Sequence, residues 1–105
     1  MTLFGGLLVV RAVVADPADR DVFDRWYREE HLPDAKKVFS ALAAWRGWSE
    51  TDPGVHYAYY RFGSMEELTE VMSGTGIRDL IAEFDAKWQG RVVRTREVVS
   101  LKQTI

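Results

Sequence analysis

Val55-His56-Tyr57-Ala58-Tyr59-Tyr60-Arg61-Phe62-Gly63-Ser64-Met65-Glu66-Glu67 reads as a strand running straight into a capped helix. Aromatic and β-branched residues over 55–62 favour extended backbone. Ser64 with Glu67 three residues later is a capping box, which satisfies free N–H groups of a first helical turn. Phe62 abuts that helix, so its side of the strand faces the helices, and Ala58 and Tyr60 share that side by alternation. Val55, Tyr57, Tyr59 and Arg61 then point the other way. A monomer rarely shows water so apolar a patch. The stretch therefore predicts a sheet with helices on one face and a second copy of the chain on the other.

Upstream, Thr51-Asp52-Pro53-Gly54 is composed of turn residues. Before it, Phe39 to Glu50 reads as a strand containing Trp45 and Trp48, so the two strands form an antiparallel hairpin. Leu3 to Val14 is an apolar run that suits a strand covered on both faces. Within it Gly5-Gly6 marks a bulge or a close backbone approach. Asp16-Pro17 is an N-cap followed by proline at the first helical position. The spacing predicts a helix over 17–31. Val22, Phe23, Trp26 and Tyr27 form one stripe, with Glu30 in its middle and His31 at its edge. Pro33 ends the helix near Leu32.

Downstream, Met65, Leu68 and Met72 share the inner face of the capped helix. Ser73-Gly74-Thr75-Gly76 breaks it. A second helical piece carries Ile77, Leu80, Ile81, Phe84 and Trp88 on one stripe and stops at Gly90. Arg91 to Leu101 is the last strand, and 102–105 reads as a tail. The order is strand, helix, strand, strand, broken helix, strand. That is an α+β, ferredoxin-like split β-α-β arrangement: a four-stranded antiparallel sheet with helices on one face, read as one domain over 1–105.

The chain has 105 residues, 47% of them hydrophobic, and a net charge of −2. This is a globular composition with no electrostatic footprint for nucleic acid or an anionic membrane. The absence of cysteine excludes a disulfide framework, a thiolate metal site and a cysteine nucleophile in this chain. No metal cluster or cofactor motif stands out. The apolar start lacks a basic leader, is interrupted by Arg11, and is too short to span a bilayer. The expected location is cytoplasmic. Four Trp, four Tyr and five Phe are many for this length and suit interfaces, pockets or a bulky core.

The segment most able to carry chemistry is Trp26-Tyr27-Arg28-Glu29-Glu30-His31-Leu32-Pro33. Tyr27 and His31 are four apart, hence neighbours on a helix. Histidine moves protons near neutral pH, and a phenol or carboxylate beside it can orient it. The competing role for His31 is structural, as a helix-end residue that interacts with the last carbonyls. His56 reads as a strand-surface or edge residue.

Trp26-Tyr27-x-x-Glu30-His31-Leu32-Pro33 resembles the helix-end signature of the EthD-like branch of the dimeric α/β-barrel superfamily. Tyr59 to Leu68 looks like that family's strand-to-helix junction. The resemblance implies a homodimer whose sheets meet in a barrel, with a cavity in each subunit. It also implies action on polyketide-like, aromatic or lactone compounds as a cofactor-free cyclase, decarboxylase, isomerase or monooxygenase. The family's histidine maps onto His31. Tyr27 would assist it, and Trp26, Glu30, Trp45, Tyr57 and Tyr59 are candidate substrate-binding or dimer-interface residues. Two other functions stay open: a non-catalytic binding or stress-related module with the same pocket, and a structural dimer in which every aromatic is packing.

Overall fold

A computed structural model describes residues 5–105, so Leu3 and Phe4 lie outside the described residues. The elements are β1 (Gly6–Val14), α1 (Pro17–Trp26), a π turn (Tyr27–His31), α2 (Leu32–Phe39), β2 (Ala43–Trp48), β3 (Val55–Phe62), α3 (Met65–Ser73), α4 (Thr75–Trp88) and β4 (Val92–Ser100). The strands form one sheet in the order β2-β3-β1-β4, antiparallel at every pairing. This is the ferredoxin-like order, with the two strands that open each β-α-β half at the centre.

Local signals do what their chemistry requires. The Asp16 carboxylate accepts the Ala18 N–H at 3.0 Å, and the Ser64 hydroxyl accepts the Glu67 N–H at 3.1 Å. A Cβ on Gly6 would fall 2.8 Å from a Leu68 methyl carbon. Close approach, of α3 at Gly6 and of the Phe62 carbonyl of β3 at Gly5, is what requires the glycine pair. Gly90, with φ +83°, takes the left-handed conformation just past α4.

Alternate residues of β1 (Leu8, Val10, Ala12, Val14) and β3 (Ala58, Tyr60, Phe62) are buried against Phe23, Tyr27, Phe39, Leu68, Phe84 and Trp88 of the helices. All helices therefore share one face of the sheet. The residues between them on β1 and β3, including Leu7, Val9, Tyr57 and Tyr59, are only half-buried.

Five expectations need correction. The helix does not end at Pro33. The Leu32 N–H bonds the Tyr27 carbonyl five residues back. This wider turn makes room for the proline, whose ring would press on the preceding turn of a regular helix. The chain then continues as α2 to Phe39 and ends at Ser40, with φ 52°. Consequently the second strand is shorter than 39–50 and spans only Ala43–Trp48. Glu30, expected in the inward stripe, is exposed, because the extra residue of the π turn shifts every later position around the axis. Val22 is 49% exposed: it lies about 100° around α1 from Phe23, the buried centre of the stripe. His56 is not a surface residue but completely buried, on the helix side of β3 with Ala58 and Tyr60.

Candidate functional site

The α1–π-turn–α2 rod lays four rings in sequence over the sheet. Phe23 packs edge-on against Trp88, and Trp26 stacks on His31 with centroids 4.6 Å apart and planes 20° apart. Tyr27 meets His31 edge-on at 4.8 Å. In an α-helix, residues four apart stack along one face. Here the wide turn sets His31 between Trp26 and Tyr27 instead of directly above Tyr27.

Behind these rings is a cavity of about 30 Å³ between α2, α4 and the sheet. Its apolar wall comes from Leu8, Val10, Phe39, Ile77, Leu80 and Ile81, and its polar lining from Tyr27, His31, Tyr60, Arg94 and Arg96. That volume holds about two water molecules. Trp26, Glu30 and His31 also line an outer hollow of about 310 Å³, together with Asp34, Glu83 and Lys87. His31 is thus in contact with both spaces.

Burial dominates the electrostatics. It pulls the His31 imidazole down to about 4, with Arg94 and Arg96 adding like-charge repulsion. The ring is therefore neutral at pH 7. Burial pushes the Tyr27 phenol up to about 12, and pushes Tyr60 up as well. The two phenols line the same cavity, and each influences the other's ionisation. Both Arg94 and Arg96 lie below their ordinary range, again first through burial.

A second polar cluster lies on the β2 side of the same core. Asp24 of α1 accepts from the Arg46 guanidinium and from the Trp48 indole N–H, both at 2.8 Å. Arg46 in turn lies 3.2 Å from His56 Nε2. These bonds hold Asp24 below the usual carboxylate range, the Arg46 bond most of all. His56 is drawn down to about 4 by burial and then by Arg46. Sequence reading missed this cluster. Strict alternation along β3 from Ala58 would have placed His56 inside.

The expected site residues divide between three places. Tyr27 and His31 meet at the cavity. Trp26 packs on His31, and Glu30 sits on the outer hollow. Trp45, Tyr57 and Tyr59 are on the opposite face of the sheet, where Tyr59 stacks on Trp45 at 5.5 Å and on Tyr57 at 6.2 Å. They form an aromatic row across β2 and β3, remote from His31. Arg94, Arg96 and Tyr60 had no expected role. Only the pairing of β4 with β1, which puts Arg96 opposite Val10 and Arg94 opposite Ala12, brings the two arginines to the cavity.

No protein-family model matches the chain, and no curated protein does. Solved structures match it throughout. An EthD family protein from Bacillus halodurans superposes with a TM-score of 0.63 at 14% identity, covering 87% of this chain and 96% of its own. HapK from Hahella chejuensis gives 0.68 at 12% identity, covering 94% and 92%. A mutant of SnoaB, a cofactor-independent oxygenase from Streptomyces nogalater, gives 0.62 at 13% identity, covering 96% of each chain. The ferredoxin-like fold implied by the sequence resemblance is the fold of this chain, and an EthD family protein is among its structural neighbours.

Proposed function

We propose that the chain works as a homodimer in which each subunit takes a small aromatic or polyketide-like compound at the Tyr27–His31 cavity and acts on it without a cofactor, as a cyclase, decarboxylase, isomerase or monooxygenase. The observation that carries this reading is the meeting of the His31 imidazole with the Tyr27 and Tyr60 phenols at one end of a cavity whose other walls are largely apolar. A neutral imidazole accepts a proton at pH 7. His31 takes it from a C–H or O–H made acidic by an adjacent carbonyl, and the electron pair moves onto the carbonyl oxygen. Tyr27 stays protonated and donates to that oxygen as negative charge develops. The outer hollow gives His31 a route for returning the proton to water. A compound larger than two waters enters only if α2 and α4 part, so admission is coupled to movement of the helix layer. The neighbour described as a cofactor-independent oxygenase supports chemistry without a bound group.

The aromatic row on the open sheet face supports the dimer. Trp45 is 44% exposed and Val93 69% exposed, on a face whose other residues include Leu7, Val9, Tyr57 and Tyr59. Burying that face against a second copy removes it from water. One observation favours the alternative of a non-catalytic small-molecule-binding or stress-related module: an imidazole near 4 is a weak base.

Deuterium exchange at the benzylic carbon of 2-tetralone in heavy water, followed by proton NMR, tests the acid–base role without knowledge of the natural reaction. The protein is expected to accelerate exchange saturably, and His31→Ala to abolish the acceleration. Binding of 2-tetralone with exchange no faster than in buffer would move the assignment to the binding module.

A further inference from the structure

Resting on the cavity reading above, we propose that the compound taken there is an aromatic acid, and that Arg94 and Arg96 of β4 recognise its carboxylate. Five polar side chains line the cavity, two of them guanidinium groups and none of them acidic. Arg94 is the deeper of the two, its side chain 12% exposed. One of its terminal nitrogens lies 3.2 Å from Asp85, a half-exposed carboxylate outside the lining. Its Nε is buried without a hydrogen-bond partner in the chain. The guanidinium carbon lies over the Phe84 ring, 4.0 Å from its centroid. A buried N–H of a charged group left without an acceptor is costly, and few native groups remain so.

Arg96 is two residues further along the same side of β4, roughly 7 Å away. No carboxylate within the described residues pairs with it at ion-pair distance. Its sequence neighbour Glu97 projects to the other face of the strand. The cavity end of β4 therefore carries two cations against one outlying anion. A carboxylate at this end of the cavity accepts from the guanidinium groups of Arg94 and Arg96, and the geometry of guanidinium and carboxylate favours such forked pairing. The remaining walls, Leu8, Val10, Ile77 and Leu80, suit the ring. The Tyr27 and His31 side chains then face the part of the ring nearest the acid.

The same placement has a consequence at His31. An anion in the cavity offsets the repulsion by Arg94 and Arg96, so the imidazole becomes a stronger base once the acid is bound. By linkage, protonated His31 then holds the acid more tightly.

Salicylate and its neutral counterpart salicylamide separate charge recognition from simple cavity filling. Binding is followed by tryptophan fluorescence, and the His31 ring protons by NMR locate the ligand. Salicylate is expected to bind at least about tenfold more tightly than salicylamide, as suits charge-assisted hydrogen bonds. Arg96→Gln is expected to bring the two affinities together while leaving salicylamide unchanged, with Arg94→Gln acting in the same direction. Arg96 is exposed enough that its variant tests the proposal even if Arg94→Gln fails to fold. Salicylate is also expected to raise the titration midpoint of His31. Equal affinities for the two compounds, or a salicylate preference untouched by Arg96→Gln, would overturn the recognition of the acid and leave the cavity reading intact. Failure of both compounds to bind or to shift His31 would overturn both.

Discussion

The two histidines of this chain are pulled to the same value, about 4, and by the same first cause, burial, yet they sit in opposite kinds of place. His56 is sealed between the rings of Phe23, Tyr27 and Trp48, and its Nε2 is bonded to Arg46 in a chain that ends on Asp24. The bonds from Arg46 and Trp48 to Asp24 fasten α1 to the β2 edge of the sheet, while His56 Nδ1 is buried without a partner in the chain. His31 stacks on Trp26 at the boundary between an inner cavity and an outer hollow. A depressed imidazole pKa does not therefore distinguish structure from function. Whether the ring has open space beside it does.

The largest expected effect separates the two directly. His56→Ala removes a fully buried ring packed among Phe23, Tyr27 and Trp48 and one of the two partners of Arg46, so it is expected to lower unfolding stability by about 3–4 kcal/mol. His31→Ala is expected to cost less than about 1 kcal/mol, since the ring is only half-buried and already borders space. Urea denaturation of the two variants checks this. Equal losses would make His31 a second structural histidine and remove the basis of its catalytic assignment.

This contrast also marks what the sequence made legible. The order of elements along the chain, the capped helix starts and the helix-facing side of β3 follow from short-range patterns, and Ser64, Asp16 and Gly90 act as read. The Tyr27–His31 pair was visible because four residues is one helical turn. The π turn was not, because nothing in Glu29-Glu30-His31-Leu32-Pro33 separates a helix that stops before proline from one that widens to pass it. Glu30 and the start of the second strand were misplaced for that single reason. Arg94, Arg96 and Tyr60 reach the cavity only through strand pairings distant in sequence, which local periodicity does not encode.

Acid titration tests the shared part of the comparison. A histidine whose pKa falls from 6.5 in the unfolded chain to about 4 in the fold binds protons preferentially when unfolded. Its contribution is fully present above pH 6.5 and is lost as pH falls towards 4. For fully buried His56 that loss amounts to about 3 kcal/mol. Asp24, with its pKa lowered, adds a further loss in the same direction at more acidic pH, as its bonds to Arg46 and Trp48 are broken by protonation. Denaturant midpoints measured from pH 7.5 to 4 should fall accordingly. A flat profile across that range would mean that His56 is protonated in the native state.

Asp24→Asn probes the fastening alone. The amide oxygen can still accept from Trp48, but the charge that Arg46 faces is lost. A reduction of about 1–2 kcal/mol is expected, with the 2-tetralone exchange rate unchanged. A parallel fall in exchange would show that the two histidine neighbourhoods are coupled through α1 rather than independent.

The smallest expected effect on stability is the most discriminating, because Tyr27 stands between the two regions. Its ring centroid is 4.5 Å from that of His56 and 4.8 Å from that of His31. Tyr27→Phe keeps the ring, and with it the packing on both sides, and removes only the hydroxyl. If that hydroxyl serves the core, its loss removes a polar neighbour of the buried Tyr60 and costs about 1 kcal/mol, with no change in proton transfer. If it serves the cavity, stability changes by less than that, while exchange at 2-tetralone falls about 10–100-fold, the range expected when one donor to a developing oxyanion is removed at a site only partly closed to water. The second outcome is the expected one. The phenol is neutral to about pH 12 and lines the cavity with His31, whereas His56 already has its acceptor occupied by Arg46. A stability loss above about 2 kcal/mol with unchanged exchange would assign Tyr27 to the His56 cluster and leave His31 to act without a hydroxyl beside it.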